Sequence, residues 1–176
     1  REINTDTESY VAALRAALRQ SPDVILLGEM RDFETIQVAM TAAETGHLVF
    51  STLHTIGAAN TVDRIVDSFP PGQQQQIRTQ LSQALEGVVS QQLLPTVDGA
   101  LVPAFEVMNV TPAVRNMIRE SKAFQLESVI STSSALGMIT MDQSILALLK
   151  AGRITRDTAL RHASNPDWME KRFATL

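Results

Sequence analysis

Apolar residues change their spacing several times along the chain, and each change marks an element. Thr5-Asp6-Thr7-Glu8 pairs a hydroxyl with a carboxylate three residues on, the capping-box arrangement that predicts a helix start. Tyr10, Val11, Leu14 and Leu18 then recur at helical spacing, while Arg15 and Arg19 point elsewhere. Ser21-Pro22-Asp23 stops that helix, because proline disfavours the helical conformation in the residue before it. Val24 to Leu27 is a short apolar run of the kind that predicts a parallel strand buried on both faces. Gly28 ends it, Asp32 caps a second helix containing Phe33, Ile36, Met40 and Ala43, and Gly46 suits that helix's C-terminal cap. Leu48 to Leu53 predicts another strand, and Ala58 to Phe69 a third helix closed by Pro70-Pro71. Strand, helix, strand, helix is the order of an α/β fold with a parallel sheet.

The second half follows a different pattern. Gln73 to Val89 predicts a long helical segment, polar at its start and apolar by its end. Leu93-Leu94 and Leu101 to Met108 flank Asp98-Gly99, a hairpin turn dipeptide. After Thr111-Pro112, a cap and first helical residue, short helices are expected, with Leu126 to Ile130, Met141 to Lys150 and Thr158 to His162 supplying their apolar faces. A boundary near Asn109 would separate an α/β body, residues 1–109, from a small helical region, residues 110–176.

Composition narrows the class. The 176 residues are 44% hydrophobic, 19% charged and 5% aromatic, a globular balance large enough to bury roughly 70% of the unfolded surface. A net charge of −4 gives no basic footprint for a nucleic-acid partner, and no apolar run is long enough to span a bilayer. With no cysteine there is no disulfide framework, thiolate nucleophile or thiolate metal site, which suits a reducing cytoplasm. The chain opens on Arg1 rather than Met and without a signal peptide, so it is expected to have lost its start or to be a piece of something longer.

The densest chemistry lies in Asp23-Val-Ile-Leu-Leu-Gly-Glu-Met-Arg-Asp-Phe-Glu34. An apolar strand delivers Glu29 at its carboxyl end, where open α/β sheets bind ligands. A carboxylate there can hold magnesium through water and orient a nucleophilic water for phosphoryl transfer. On pattern alone, Glu29, Arg31, Asp32 and Glu34 read first as a polar turn and a helix cap, because a strand followed by an acid is common in α/β folds. The second cluster is Thr45-Gly46-His47 through Thr52-Leu53-His54-Thr55. His47 and His54 are an odd number of residues apart, so on one strand their rings face opposite sides and one metal cannot take both. His54, at the end Glu29 shares, is either a hydrogen-bonded structural residue or a donor touching a phosphate, and His162 is expected on the surface without a companion. The three lysines, Lys122, Lys150 and Lys171, follow Ser, Leu and Glu, so no Gly-Lys-Ser/Thr phosphate loop is present. Neither a Gly-x-Ser-x-Gly elbow nor a Gly-x-Gly-x-x-Gly turn occurs, which argues against hydrolase and dinucleotide readings.

These segments resemble a known family. Ser21 to Thr35 resembles the Walker B segment of the secretion and type IV pilus ATPases, and Ala42 to Thr55 resembles their His box. Ala113-Val114-Arg115-Asn116-Met117-Ile118-Arg119-Glu120 resembles the Ala-Ile-Arg-Asn-Leu-Ile-Arg-Glu motif of the pilus retraction branch, the PilT family. The similarity runs from Arg1 to roughly Gly152, and three ordered motifs at family spacing are highly specific. The resemblance implies the carboxyl half of a RecA-like P-loop ATPase domain with a small helical C-terminal region. It also implies an ATP-hydrolysing motor subunit for pilus retraction and twitching motility, assembled as a homo-hexamer on the cytoplasmic face of the bacterial inner membrane beneath a platform protein. On that resemblance Glu29 is the Walker B glutamate near Mg2+, with Gly28, Arg31 and Asp32 around it. His54 faces the γ-phosphate of ATP, and His47 ties the His box, with Thr45, Gly46, Thr52 and Thr55, to neighbouring elements. Residues 113–120 serve pilus withdrawal rather than hydrolysis. The same stretch reads physically as an amphipathic helix with Val114, Met117 and Ile118 inward and Arg115, Arg119 and Glu120 outward.

The family's Walker A loop and acidic Asp box lie upstream of the segment that Arg1-Glu2-Ile3 resembles, so the chain alone is expected to bind ATP weakly and not to hydrolyse it. Val114 and Met117 replace the motif's Ile and Leu, mild apolar swaps. An assembly or type II secretion ATPase is the nearest alternative, but those relatives carry a four-cysteine zinc motif and this chain has no cysteine. The alternative from another class is a non-catalytic docking module, which the sequence upstream of Arg1 would distinguish.

Overall fold

Two short apolar runs, β1 (Val24–Leu27) and β2 (Leu48–Ser51), pair in parallel in register Val24 to Leu48 through Leu27 to Ser51. The connection is α2 (Phe33–Glu44), the crossover helix that a parallel pair requires. Asp32 caps it as the sequence predicts, and Gly46 follows its C-terminal cap Thr45 with φ +97°, a conformation glycine adopts without penalty. The computed structural model describes residues 2–174. Around the pair lie α1 (Tyr10–Leu18), α3 (Ala58–Asp67) and α4 (Pro71–Ala84), followed by an antiparallel hairpin of β3 (Gly87–Pro95) and β4 (Leu101–Asn109). Helices α5 (Pro112–Arg119), α6 (Leu126–Thr132), α7 (Met141–Lys150), α8 (Arg156–His162) and α9 (Pro166–Phe173) complete the described chain.

Four expectations are corrected. Helix α1 starts after Ser9, whose hydroxyl accepts from the Ala12 N–H at 3.1 Å, and not at the Thr5–Glu8 box. Asp6 is committed instead to the Glu2 N–H at 2.8 Å, and Asn4 N–H closes a turn on the Thr7 carbonyl, so those residues form a local turn. The helix expected over 73–89 stops at Ala84. Leu85 is extended and 87–89 already belong to β3, because those apolar residues pair across the hairpin with 107–109. Strand β2 ends at Ser51, two residues short of Leu53. Strand β1 is buried on one face only. Ile25 and Leu27 pack on Leu14, Ala39 and Ala42, while Leu26 is 78% exposed and Phe50 beside it 54%. Val24 and Leu48 share that open apolar face.

Among the described residues the interior has three apolar clusters. The largest joins Ile36 and Met40 of α2, Val62, Ile65 and Val66 of α3, and Ile77 and Leu81 of α4 to Val114, Ile118, Leu126 and Ile130. A second packs Leu94, Val102 and Ala104 of the hairpin against Met141, Ile145, Ile154, Ala159 and Met169. The core therefore runs continuously past Asn109, and the hairpin is the plate on which the C-terminal helices rest.

Candidate active site

The carboxyl ends of β1 and β2 stay zipped beyond the last paired residues. The Thr52 hydroxyl donates to the Gly28 carbonyl at 2.6 Å, and the Met30 N–H donates to the Thr52 carbonyl at 3.0 Å. This clamp sets Glu29 and His54 side by side, with His54 Nε2 3.1 Å from Glu29 Oε2. Arg31 holds the other carboxylate oxygen. Glu29 is 17% exposed, whereas the His54 ring is 88% exposed and free to meet a ligand on its other edge. The Arg31 hydrogen bond, and after it the one from His54, hold the Glu29 carboxyl below its usual range. At neutral pH it is therefore an anion, able to accept a hydrogen bond and unable to give one.

A cleft of about 410 Å³ opens beside this pair, lined by Met30, Arg31, Leu53, His54, Thr55 and Arg64. Three of the six lining side chains carry or can carry positive charge, which suits an anion such as a phosphate. Arg64 was not singled out in the sequence. It sits in the last turn of α3, and no local pattern indicates that this turn folds back over the strand ends. The Thr55 hydroxyl lies 2.8 Å from that of Thr61, tying the loop after β2 to α3.

The other expected residues lie elsewhere. Thr45, Gly46 and His47 occupy the opposite end of β2. The Thr45 hydroxyl donates to the turn above it, toward the Thr41 and Ala42 carbonyls at 2.9 and 3.0 Å. His47 Nδ1 lies 3.0 Å from the Ala42 carbonyl and 3.3 Å from Thr45 Oγ1, so its proton on that nitrogen caps the end of α2. Asp32 accepts from the Thr35 N–H at 2.8 Å, and this bond is the main cause of its lowered carboxyl pKa. His162 is corrected: its Nδ1 lies 3.4 Å from Gln92 Oε1 in a part-buried contact, so it has a companion.

Residues 113–120 form α5 and the residue after it, well apart in sequence from the strand ends. Val114 and Ile118 are fully buried against α3 and α4, and Met117 is half-buried. Arg115 is corrected from an outward residue to a half-buried one. Its guanidinium donates to the Ser82 and Gln83 carbonyls, both at 2.8 Å, and pairs with Glu86 at 3.1 Å. It thereby satisfies carbonyls at the end of α4, an arrangement the local pattern could not reveal. Arg119 and Glu120 are exposed, as the helical pattern predicts, and so is Asn116. Arg119 Nη2 donates to Asn116 Oδ1 at 2.7 Å, and Glu120 pairs loosely with Lys122 at 3.6 Å.

Among the described residues no cluster of three or more His, Asp or Glu could cage a metal, and no helix is long and apolar enough to cross a membrane. Glu29, a single carboxylate beside the cleft, is the kind of protein ligand that magnesium uses, since that ion keeps most of its waters.

A parallel βαβ pair with an acid and a histidine converging at its carboxyl ends places polar side chains where open α/β sheets bind their ligands. The chain belongs to the family of type II/IV secretion system proteins, whose model matches residues 2–125. It is 55% identical over 170 residues to a twitching motility protein of Neisseria gonorrhoeae, covering 96% of this chain and 46% of that relative. It is 50% identical over 167 residues to the type IV pilus retraction ATPase PilT of Pseudomonas aeruginosa, covering 95% and 48% respectively. In three dimensions it matches the crystal structure of the pilus retraction motor PilT with bound ADP at a TM-score of 0.86 and 49% identity, over 97% of this chain and 48% of that one. The chain thus spans about half the length of the curated relatives it matches. Its fold is that of a RecA-like ATPase domain fragment with helices following it.

Proposed function

We propose that this chain is the carboxyl half of an ATP-hydrolysing motor subunit that powers type IV pilus retraction. The observation that carries this reading is the contact between Glu29 and His54 at the strand ends, beside a cleft edged by Arg31 and Arg64. In the reading, Glu29 orients the attacking water and accepts its hydrogen bond, kept anionic by Arg31. The exposed edge of His54 meets the γ-phosphate of ATP, and Arg31 and Arg64 draw the phosphate charge into the cleft. Glu29 would hold magnesium through water beside the nucleotide, and the ion would supply charge neutralisation on the phosphates. Thr52, Thr55 and Gly28 fix the loops that present the pair, and Thr45, Gly46 and His47 anchor the far end of β2.

Residues 1–109 supply the chemistry and residues 110–176 the coupling, with Asn116, Arg119 and Glu120 as the surface gripped by the pilus machine. The subunit works as a homo-hexamer at the cytoplasmic face of the inner membrane, against a platform protein. The 176-residue chain lacks a phosphate-binding loop and is inactive by itself. Identity of 50–55% to a retraction ATPase and a twitching motility protein, together with the absence of cysteine, favours retraction over assembly or secretion.

The test is Glu29→Gln in the full-length protein. An amide keeps the shape but accepts poorly, so the variant should bind nucleotide as the parent does and lose turnover by about a hundredfold or more. Turnover within about twofold of the parent would remove Glu29 from the chemistry.

A further inference from the structure

Glu106 lies in β4, only 7% exposed, and its two oxygens go to the first turns of two different helices. Oε1 accepts the Ala58 N–H of α3 at 2.7 Å, and Oε2 accepts the Met141 N–H of α7 at 3.3 Å. A carboxylate at two helix N-termini is stabilised by donors that would otherwise be orphaned and by both helix dipoles. Ala58 follows His54 by four residues, so the amide that Glu106 holds belongs to the end of the His54 loop. The same loop is pinned at a second point, where the Gly57 N–H donates to the buried Ser90 hydroxyl at 2.8 Å. Gly57 turns there with φ +90°, which lets the chain swing from the loop into α3 with both amides aimed at the hairpin. On the other side, α7 is held to β4 by the reciprocal bonds between Val107 and Ile139 and by the Ser144 hydroxyl on the Phe105 N–H.

We propose that Glu106 is a positioning residue that couples the His54 loop to the C-terminal helices through one buried carboxylate. A shift of α7 on the hairpin pulls on the group that holds the start of α3, and movement of the loop is felt at α7 by the same link. The proposal rests on the reading of His54 as the side chain that meets the γ-phosphate. Glutamine at this position keeps the volume but has only one accepting oxygen, so it breaks one of the two links and turns an amide donor toward a backbone N–H.

The experiment compares Glu106→Gln, His54→Ala and the double variant in the full-length protein, by ATP turnover and by amide exchange at Ala58 and Met141. Glu106→Gln should lower kcat roughly tenfold with KM for ATP within about twofold, and the double variant should turn over no more slowly than His54→Ala alone. Exchange at both amides should rise together. Independent, multiplying losses overturn the proposal, as does a parental kcat alongside faster exchange, since Glu106 would then only hold the fold. If His54→Ala itself turns over like the parent, the reading of His54 has failed. The link is then decided by exchange alone, sustained by a joint rise and refuted by a rise at one amide only. Should Glu106→Gln not fold, Glu106→Asp, which keeps two accepting oxygens but is one methylene too short to reach both amides, is put through the same comparison, with the same non-additivity against His54→Ala expected.

Discussion

Glu29 meets two partners of different strength, and the difference governs how the site titrates. Arg31 remains charged at every accessible pH, and its hydrogen bond is the first cause of the lowered Glu29 pKa. A carboxyl whose folded pKa is depressed contributes stability that is present above its unfolded pKa and is lost as pH falls through the folded value. Removing Arg31 should therefore move the Glu29 titration upward toward the usual carboxylate range. The Arg31→Ala carboxyl signal, followed by carbon NMR against pH, should show that rise, and an unmoved midpoint would mean that Arg31 does not hold the anion. At this scale the sequence is legible where a side chain's role depends on its place at the end of an apolar run. Glu29 after Val24–Leu27 and His54 after Leu48–Ser51 are of that kind. Arg64 and Arg115 are not, because their partners are set by how separate helices pack, which no local spacing records.

Among the elements, α5 shows how one helix serves two purposes. Its buried face, Val114 and Ile118, fastens it to the main core, and Arg115 closes the end of α4 across the contact. Pro112, Ala113, Asn116, Arg119 and Glu120 face solvent. Arg115→Ala should lower stability by about 1 kcal/mol, a charged hydrogen-bond contribution reduced because the side chain is partly exposed. Arg119→Ala should cost under ~0.5 kcal/mol, as an exposed substitution does, leave ATP turnover intact and stop pili retracting. Denaturant unfolding, turnover and a twitching assay on the two variants separate these roles, and equal stability losses would show that Arg119 is structural too. The elements also show where reading the sequence succeeds and fails. The helices with a cap and a clear stripe, such as α2 behind Asp32 and α5 behind Thr111-Pro112, stand where the pattern places them. The stretch 85–89 does not, because a short apolar run satisfies both periods and only pairing with β4 decides between them.

For the whole molecule, the apolar surface left open says most. The face formed by Val24, Leu26, Leu48 and Phe50 and the outer side of the hairpin, with Val89, Leu93, Leu101 and Phe105, are both solvent-facing. Apolar patches on paired strands are uncommon on a free-standing surface and mark places that another part of an assembly covers. This fits a chain that spans about half of its relatives and a reading in which the phosphate loop is supplied by the rest of the subunit. The measurement that tests this most directly is magnesium-dependent ATP turnover by the protein extended to the length of its relatives, with the 176-residue chain alongside. The extended protein should hydrolyse ATP and the shorter chain should not. Turnover by the shorter chain, or none from an extended protein shown to be folded and assembled, would contradict the account.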